Sequence, residues 1–166
     1  MTTKDSRNRR WTEAPTLRPY GFVESYPVIR RIGDRDLYLG NWRAADPAEH
    51  DESFEYVVSA TEADYPLTTH HHPLIDGREN EWTDFERAVD TTRRLYRADG
   101  DLLVHCKAGV SRSTTLLATT LAAEEGYAFQ RAVEAVREVR PIATPNPALI
   151  EQAVVYLAAE GAGGRV

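Results

Sequence analysis

The sequence is poor in cysteine, in lysine and in long hydrophobic runs. Cys106 is the only cysteine among the 166 residues, so an internal disulfide is excluded, and a zinc site built from cysteines would lack its partners. No window approaches the roughly 18 uncharged apolar residues that a membrane helix needs. Residues 1–7 are polar, with no apolar stretch behind them to serve as a signal peptide. We therefore expect a cytoplasmic protein without membrane insertion.

The charge balance is acidic, with a formal net charge of −6 at pH 7. Domains that bind nucleic acid carry basic surfaces against phosphate, so this balance argues against a nucleic-acid partner. A length of 166 residues fits one domain with one core. We expect a leader over 1–26 that is partly loose or docked, a folded domain over 27–160 and a flexible tail over 161–166.

Short β-type runs occupy the first part of the folded domain. The runs 28–32 and 37–39 flank a turn-rich spacer, which is typical of a hairpin. A short helix is predicted at 44–50, and further strands are predicted at 54–60 and 72–75. The run 102–104 is uninterrupted and apolar and follows a glycine turn, which indicates a central strand buried on both faces of a parallel sheet.

Helical periodicity appears in the second half of the chain. From Asn80, apolar residues recur at three and four positions until the segment stops at Gly100. Further helices are predicted at 113–125, 128–140 and 147–160, each of which is followed by glycine or proline. Strands interleaved with helices predict an α/β sandwich.

The loop from His105 to Ser113 joins the predicted central strand directly to a helix N-terminus. Such a terminus presents unpaired N–H groups and the positive end of the peptide dipole, and a loop curling over it adds more donors. Phosphate fits such a cradle. The same donors stabilise a thiolate, so Cys106 at its base is a candidate nucleophile. We expect His105 to point away from the pocket, bond the backbone and hold the loop in shape.

Other loop residues carry groups that this chemistry needs. Arg112 presents a planar, two-pronged donor for two phosphoryl oxygens. Gly109 lets the backbone turn inward where a side chain would block the bound anion. Ser113 is positioned to donate a hydrogen bond to the Cys106 sulfur and ease its departure, whereas Ser111 could cap the helix. The predicted phosphate-binding residues are Lys107, Ala108, Gly109, Val110, Ser111 and Arg112.

The segment from His105 to Arg112 matches a His-Cys-x5-Arg signature, and the chain resembles the dual-specificity branch of the cysteine-dependent protein tyrosine phosphatase superfamily. A lone cysteine is commonly a small buried hydrophobe, but that interpretation does not explain the offsets of the loop residues. The resemblance implies that 27–160 is a catalytic domain whose central, mostly parallel sheet is flanked by helices in a phosphatase-like three-layer sandwich. It covers about 28–158 and includes Leu37-Tyr38-Leu39-Gly40, Arg140-Pro141, Pro145-Asn146 and Gln152.

Displacement of an alkoxide or phenoxide from phosphorus needs a proton donor, and the loop contains no carboxylate. Asp76 follows the predicted strand at 72–75, has a glycine behind it and lies 30 positions before Cys106. The family that the chain resembles carries its general acid at a similar spacing. We predict Asp76 as the acid; the competing candidates are Asp64, Glu79 and Asp84.

The consecutive histidines 70–72 suggest a metal site at first sight. Neighbouring residues of a strand point to alternating faces, however, so at most two of the three could approach one ion. We predict no metal, and a thiolate mechanism needs no cofactor.

The predicted function is a phosphomonoesterase that acts through a phosphocysteine intermediate on phosphotyrosine and phosphoserine or phosphothreonine in proteins. The loop contains one lysine, Lys107, whereas polyphosphorylated substrates tend to need several cations. Phosphorylated proteins are therefore the favoured partners. The alternatives are a phosphatase of a phospholipid or inositol phosphate, and a module that binds phosphorylated partners without turnover.

Overall fold

The computed structural model describes residues 23–161, and predictions for 1–22 and 162–166 lie outside the described residues. The described chain forms one five-stranded sheet in the order β1-β2-β5-β3-β4. β1 pairs antiparallel with β2, and the three other pairings are parallel, as the prediction of a mostly parallel sheet requires. The strands are β1 (Ile29–Arg31), β2 (Leu37–Gly40), β3 (Tyr56–Ser59), β4 (His70–His71) and β5 (Leu102–His105).

The central strand β5 is buried along its whole length between β2 and β3. Leu102 and Val104 belong to the larger core on one side of the sheet, and Leu103 packs with Val57 in a smaller core on the other. Because both faces of β5 are covered, neither face is exposed to solvent, and polar residues do not alternate with apolar ones along the strand. The predicted central strand is confirmed.

Helices cover the side of the sheet that carries the larger core. The most buried is α2, in which residues 113–122 have no exposed position, and it ends at Gly126 with φ +79°. A 3-10 helix (Trp42–Ala45) packs against the opposite side through Ala44 and Ala45. The α/β three-layer prediction is therefore confirmed. The helices are α1 (Trp82–Arg97), α2 (Arg112–Glu125), α3 (Phe129–Arg137) and α4 (Pro147–Ala159).

Two predicted elements are wrong. The helix predicted at 44–50 is the 3-10 helix, which stops at Ala45 because Asp46 precedes Pro47 and is extended, with φ −117° and ψ 114°. No strand forms at 72–75; β4 lies just before this segment and ends at His71. Beyond that point only isolated hydrogen bonds remain, from the His72 N–H to Ser59 and from the Leu74 N–H to Ala60.

The site lies where parallel strands end together. Gly40 and Ser59, the last residues of β2 and β3, are both in register with His105, the last residue of β5. The loop after β5 leads directly into α2, so its groups lie at the carboxyl edge of the sheet, where open α/β sheets bind their ligands. No helix within residues 23–161 is long and apolar enough to cross a membrane.

Candidate active site

The loop between β5 and α2 turns the four carbonyl groups of residues 107–110 outward. The backbone N–H groups of Trp42 and Thr144 donate to the first and the last of them, at 3.1 and 2.8 Å. The guanidinium of Arg140 donates to the two between them, at 2.8 and 3.0 Å. Each of these carbonyls therefore has its partner outside the loop.

This arrangement fixes the direction of the loop amides. In a trans peptide the N–H points opposite to the C=O, and the described chain has no cis peptide, so the N–H groups of 108–111 turn toward the concave side of the loop. The N–H groups of 107–111 donate to no protein acceptor within the described part of the chain. Unpaired amides that converge at a helix N-terminus form an anion-binding cradle.

The Cys106 sulfur lies at the start of α2, and the side chain is buried. Its Sγ is 3.2 Å from the Ser113 hydroxyl and 3.4 Å from the Ser113 backbone nitrogen. The Ser113 N–H donates to the sulfur, and the Ser113 hydroxyl is within hydrogen-bond distance of it. The structure thus brings Ser113 to the sulfur, where the sequence predicted it would donate.

The Arg112 guanidinium is held from behind by backbone. Its Nη1 donates to the carbonyls of Ala60 and Leu74, both at 3.3 Å. Nε and Nη2 form the other edge of the guanidinium and make no hydrogen bond within residues 23–161. That edge is the planar pair of donors that binds two oxygens of a phosphoryl group.

Asp76 lies against the cradle. Ser111 Oγ donates to Asp76 Oδ1 at 2.6 Å and accepts the Asn146 N–H at 2.8 Å, while the Asn146 side chain donates to the Asp76 carbonyl at 3.0 Å. Asp76 Oδ2 has no hydrogen-bond partner in the described chain, and the residue is exposed. The competing carboxylates are exposed and not hydrogen-bonded to residues 105–113; they are Asp64, Glu79 and Asp84.

Two details of the sequence interpretation are wrong. Ser111 stands at the N-cap of α2 but its side chain makes no capping hydrogen bond, because its hydroxyl is committed to Asp76. Gly109 has φ +71°, and a Cβ there would lie 3.0 Å from the Gly40 carbonyl oxygen and 3.3 Å from the Asn41 nitrogen. Glycine is therefore needed so that the loop can approach the end of β2, not to keep the anion position clear.

His105 is fully buried behind the loop. Its Nε2 is 2.6 Å from Ser59 Oγ, and its Nδ1 is 3.4 Å from the Cys106 carbonyl oxygen. A carbonyl only accepts, so the neutral ring carries its hydrogen on Nδ1 and accepts the Ser59 hydroxyl at Nε2. Burial is the main cause that lowers the pKa of His105 to about 4, and the nearby Arg112 lowers it further.

The buried His105 makes stability depend on pH. Its pKa of about 4 in the folded chain is below the ordinary value of 6.5, so the unfolded chain binds more protons between these values. The stabilisation is complete above pH 6.5 and is lost as the pH falls toward 4; the loss between pH 7 and pH 5 is about 2 kcal/mol. Glutamine does not bind a proton in this pH range, so His105→Gln should lack this pH-dependent loss of stability. Urea unfolding at both pH values measures the difference, and equal losses in the two proteins would contradict it.

Residues without a predicted role hold the Asp76 segment in place. Asn80 Oδ1 accepts the Ile75 N–H at 2.8 Å, and Asn80 exchanges two further hydrogen bonds with the Gln152 side chain, both at 2.9 Å. Ile75, the residue before Asp76, is thereby linked through Asn80 to Gln152 of α4. Asn146 caps α4 ahead of Pro147; an asparagine directly before a proline at the start of a helix is a capping signal that the sequence offers. No local signal marks Asn80.

The histidines of β4 make separate contacts. His71 Nε2 donates to the Thr61 carbonyl at 2.8 Å, whereas His70 Nδ1 is 2.8 Å from the Thr69 hydroxyl. Burial lowers the pKa of both His70 and His72. The part of the chain that the structure covers contains no group of three or more His, Cys, Asp or Glu side chains that could hold a metal ion.

Comparison with known proteins agrees with the fold. The family model for the dual specificity phosphatase catalytic domain matches residues 37–158. Mouse dual specificity protein phosphatase 15 is 31% identical over 127 residues, which cover 70% of this chain and 52% of that protein. Human protein phosphatase Slingshot homolog 3 is 33% identical over 132 residues, which cover 72% of this chain and 19% of that protein.

A solved structure shows the same architecture. The crystal structure of human DUSP28 superposes with a TM-score of 0.69 at 25% identity and covers 82% of this chain and 99% of that one. The sheet, the helical layer and the Cys-x5-Arg loop are those of a cysteine-dependent phosphatase. Within that superfamily, the chain belongs to the dual specificity phosphatase family. It spans about half the length of the mouse relative.

Proposed function

We propose that this chain hydrolyses phosphotyrosine and phosphoserine or phosphothreonine in proteins through a phosphocysteine intermediate. One observation carries the proposal: the unpaired N–H groups of 107–111 and the free edge of Arg112 share one loop with the Cys106 sulfur, which the hydroxyl and the N–H of Ser113 both contact. Groups so arranged bind a phosphoryl dianion and present a thiolate to its phosphorus. His105 supports the loop from behind and takes no part in proton transfer.

The first step transfers the phosphoryl group to the enzyme. The Cys106 thiolate forms the S–P bond while the bond from phosphorus to the leaving oxygen breaks, and the Asp76 carboxyl gives its proton to that oxygen. The loop amides and Arg112 hold the three equatorial oxygens throughout. In the second step water attacks phosphorus, its proton passes to the ionised Asp76, and the S–P bond breaks. Ser113 then donates to the departing sulfur.

Phosphoproteins are the proposed substrates because few cations around the loop are free. Lys107 is exposed, but Arg140 is paired with Glu24, and Arg43 is paired with Glu49. This pattern fits one phosphomonoester better than a polyphosphorylated inositol ring. The reduced thiol that the mechanism requires favours the cytoplasm as the location.

Asp76→Asn should lower kcat/KM, which reports the transfer of the phosphoryl group to Cys106, by about 10²- to 10⁴-fold with phenyl phosphate, because an amide cannot protonate the leaving oxygen. The loss should be smaller with p-nitrophenyl phosphate, whose leaving group needs little protonation. Steady-state kinetics with both esters measure the two losses. Asp84→Asn, the same change on an exposed carboxylate of α1, is the matched control and should behave like the wild type. Equal losses for the two esters would assign another residue as the acid.

The proposed function is tested with the purified chain on a panel of substrates. We expect hydrolysis of p-nitrophenyl phosphate and of peptides with phosphotyrosine, phosphoserine or phosphothreonine, at higher kcat/KM than short-chain phosphatidylinositol phosphates. A higher kcat/KM for the lipids would indicate a lipid phosphatase. Binding of phosphopeptides without release of phosphate would indicate a module that only binds them.

A further inference from the structure

Glu24 and Arg140 form an ion pair beneath the phosphate loop. Their side chains are 2% and 4% exposed, and Arg140 donates to both Glu24 carboxylate oxygens, at 2.9 and 3.1 Å. Removing either partner would leave a buried charge without compensation. The two residues are 116 positions apart in the chain, so the pair joins the segment before β1 to the segment after α3.

The same guanidinium also contacts the loop. Arg140 Nε donates to the Gly109 carbonyl at 3.0 Å, and Nη2 donates to the Ala108 carbonyl at 2.8 Å. These carbonyls belong to the peptide groups that carry the N–H groups of Gly109 and Val110. By holding the two carbonyls outward, Arg140 turns these two amides toward the anion. A lysine has one nitrogen and cannot reach the carboxylate and both carbonyls in this geometry.

Glu24 determines where this guanidinium can lie. A buried guanidinium needs a carboxylate, and two neutral carbonyls do not replace it. Loss of the Glu24 charge therefore favours an Arg140 that moves toward solvent, away from the loop. The carbonyls of Ala108 and Gly109 would then lose their donors, and their peptide groups would be free to rotate.

We propose that Glu24 and Arg140 are positioning residues for oxyanion binding, with Arg140 orienting the amides of Gly109 and Val110 and Glu24 holding Arg140 in place. The segment before β1 is thereby part of the phosphate site, although it contributes no group that touches the anion. The inference deepens the proposed function, since it concerns the same cradle. It requires only that the cradle binds an oxyanion, and not that the bound ester is turned over.

The test compares Glu24→Gln with Glu124→Gln in the full chain. Glu124 accepts a hydrogen bond from Arg93 at 2.7 Å and is also largely buried, but it belongs to the far end of α2. Calorimetric titration with tungstate, at a temperature where circular dichroism shows both variants folded, should give a Kd at least about tenfold weaker for Glu24→Gln only. Alkylation of Cys106 by iodoacetamide at pH 6 should slow in the same variant.

Arg140→Lys provides a second variant that keeps a cation for Glu24. It should fold and still bind tungstate at least about tenfold more weakly than the wild type, because one ammonium cannot orient both peptide groups. If Glu24→Gln does not fold, the tungstate affinity of Arg140→Lys alone tests the positioning role. Wild-type tungstate affinity and alkylation rate in folded Arg140→Lys would show that the ion pair serves stability alone and would overturn the proposal.

The two proposals fail in different ways. If the wild type binds tungstate and both variants lose affinity, but no phosphate ester is hydrolysed, the proposed function fails and the positioning role stands. If the wild type hydrolyses phosphopeptides and both folded variants match its KM and its tungstate affinity, the positioning role fails and the proposed function stands.

Discussion

Cys106→Ser is expected to lower kcat for p-nitrophenyl phosphate by on the order of 10⁴-fold or more. The Ser113 hydroxyl and N–H lie 3.2 and 3.4 Å from the Cys106 sulfur. They cannot make an alkoxide available near neutral pH, because a hydroxyl is far less acidic than a thiol. Steady-state release of p-nitrophenol measures the loss, and intact-protein mass spectrometry should detect phosphocysteine only in the wild type.

The same variant should retain anion binding. The loop amides and Arg112 are unchanged by the substitution, so calorimetry should give a tungstate Kd within about tenfold of the wild-type value. Binding without turnover would separate the role of the sulfur from that of the cradle. Activity within tenfold of the wild type would instead show that another group is the nucleophile, and it would remove the proposed intermediate.

Arg112→Lys should lower kcat/KM by about 10²- to 10³-fold although the charge is kept. Arg112 Nη1 is bound to the carbonyls of Ala60 and Leu74, which leaves the Nε and Nη2 edge for two phosphoryl oxygens. An ammonium cannot satisfy the backbone carbonyls and also offer a planar pair of donors. The loss should therefore appear in kcat as well as in KM, measured with p-nitrophenyl phosphate.

Arg131→Lys is the matched control for this substitution. Arg131 lies on α3 over the Tyr127 ring and makes no hydrogen bond or ion pair with the loop in the described chain. It should keep wild-type kinetics. A normal kcat in Arg112→Lys would show that positive charge alone is sufficient and that the two-pronged geometry is not used.

The parts of the fold that local sequence determines could be predicted. β5 is apolar at every position because both of its faces are covered, and the glycine turn before it and the helix after it are short-range features. The signature residues Cys106 and Arg112 belong to one continuous segment, so their proximity follows from spacing. The prediction of Asp76 as the acid depends on the strand-like run before it, and that run is joined to β3 only through isolated hydrogen bonds.

Contacts between distant parts of the chain could not be predicted. Nothing near Arg140 in sequence indicates that its partner is Glu24. The sequence likewise does not show that Gly109 approaches Gly40, since this contact depends on how β2 ends beside the loop. The contact of Ser111 is unpredictable for a similar reason: its hydroxyl bonds the side chain of Asp76 across the loop.

The outward carbonyl contacts of the loop also have a consequence for folding. They come from Trp42, Arg140 and Thr144, so the cradle exists only once distant segments have assembled. A ligand that binds only this assembled form adds its binding energy to the whole folding equilibrium. Saturating tungstate should therefore raise the melting temperature of the entire domain in one cooperative transition. A substitution that loosens packing far from the sulfur should accordingly weaken the binding of the anion.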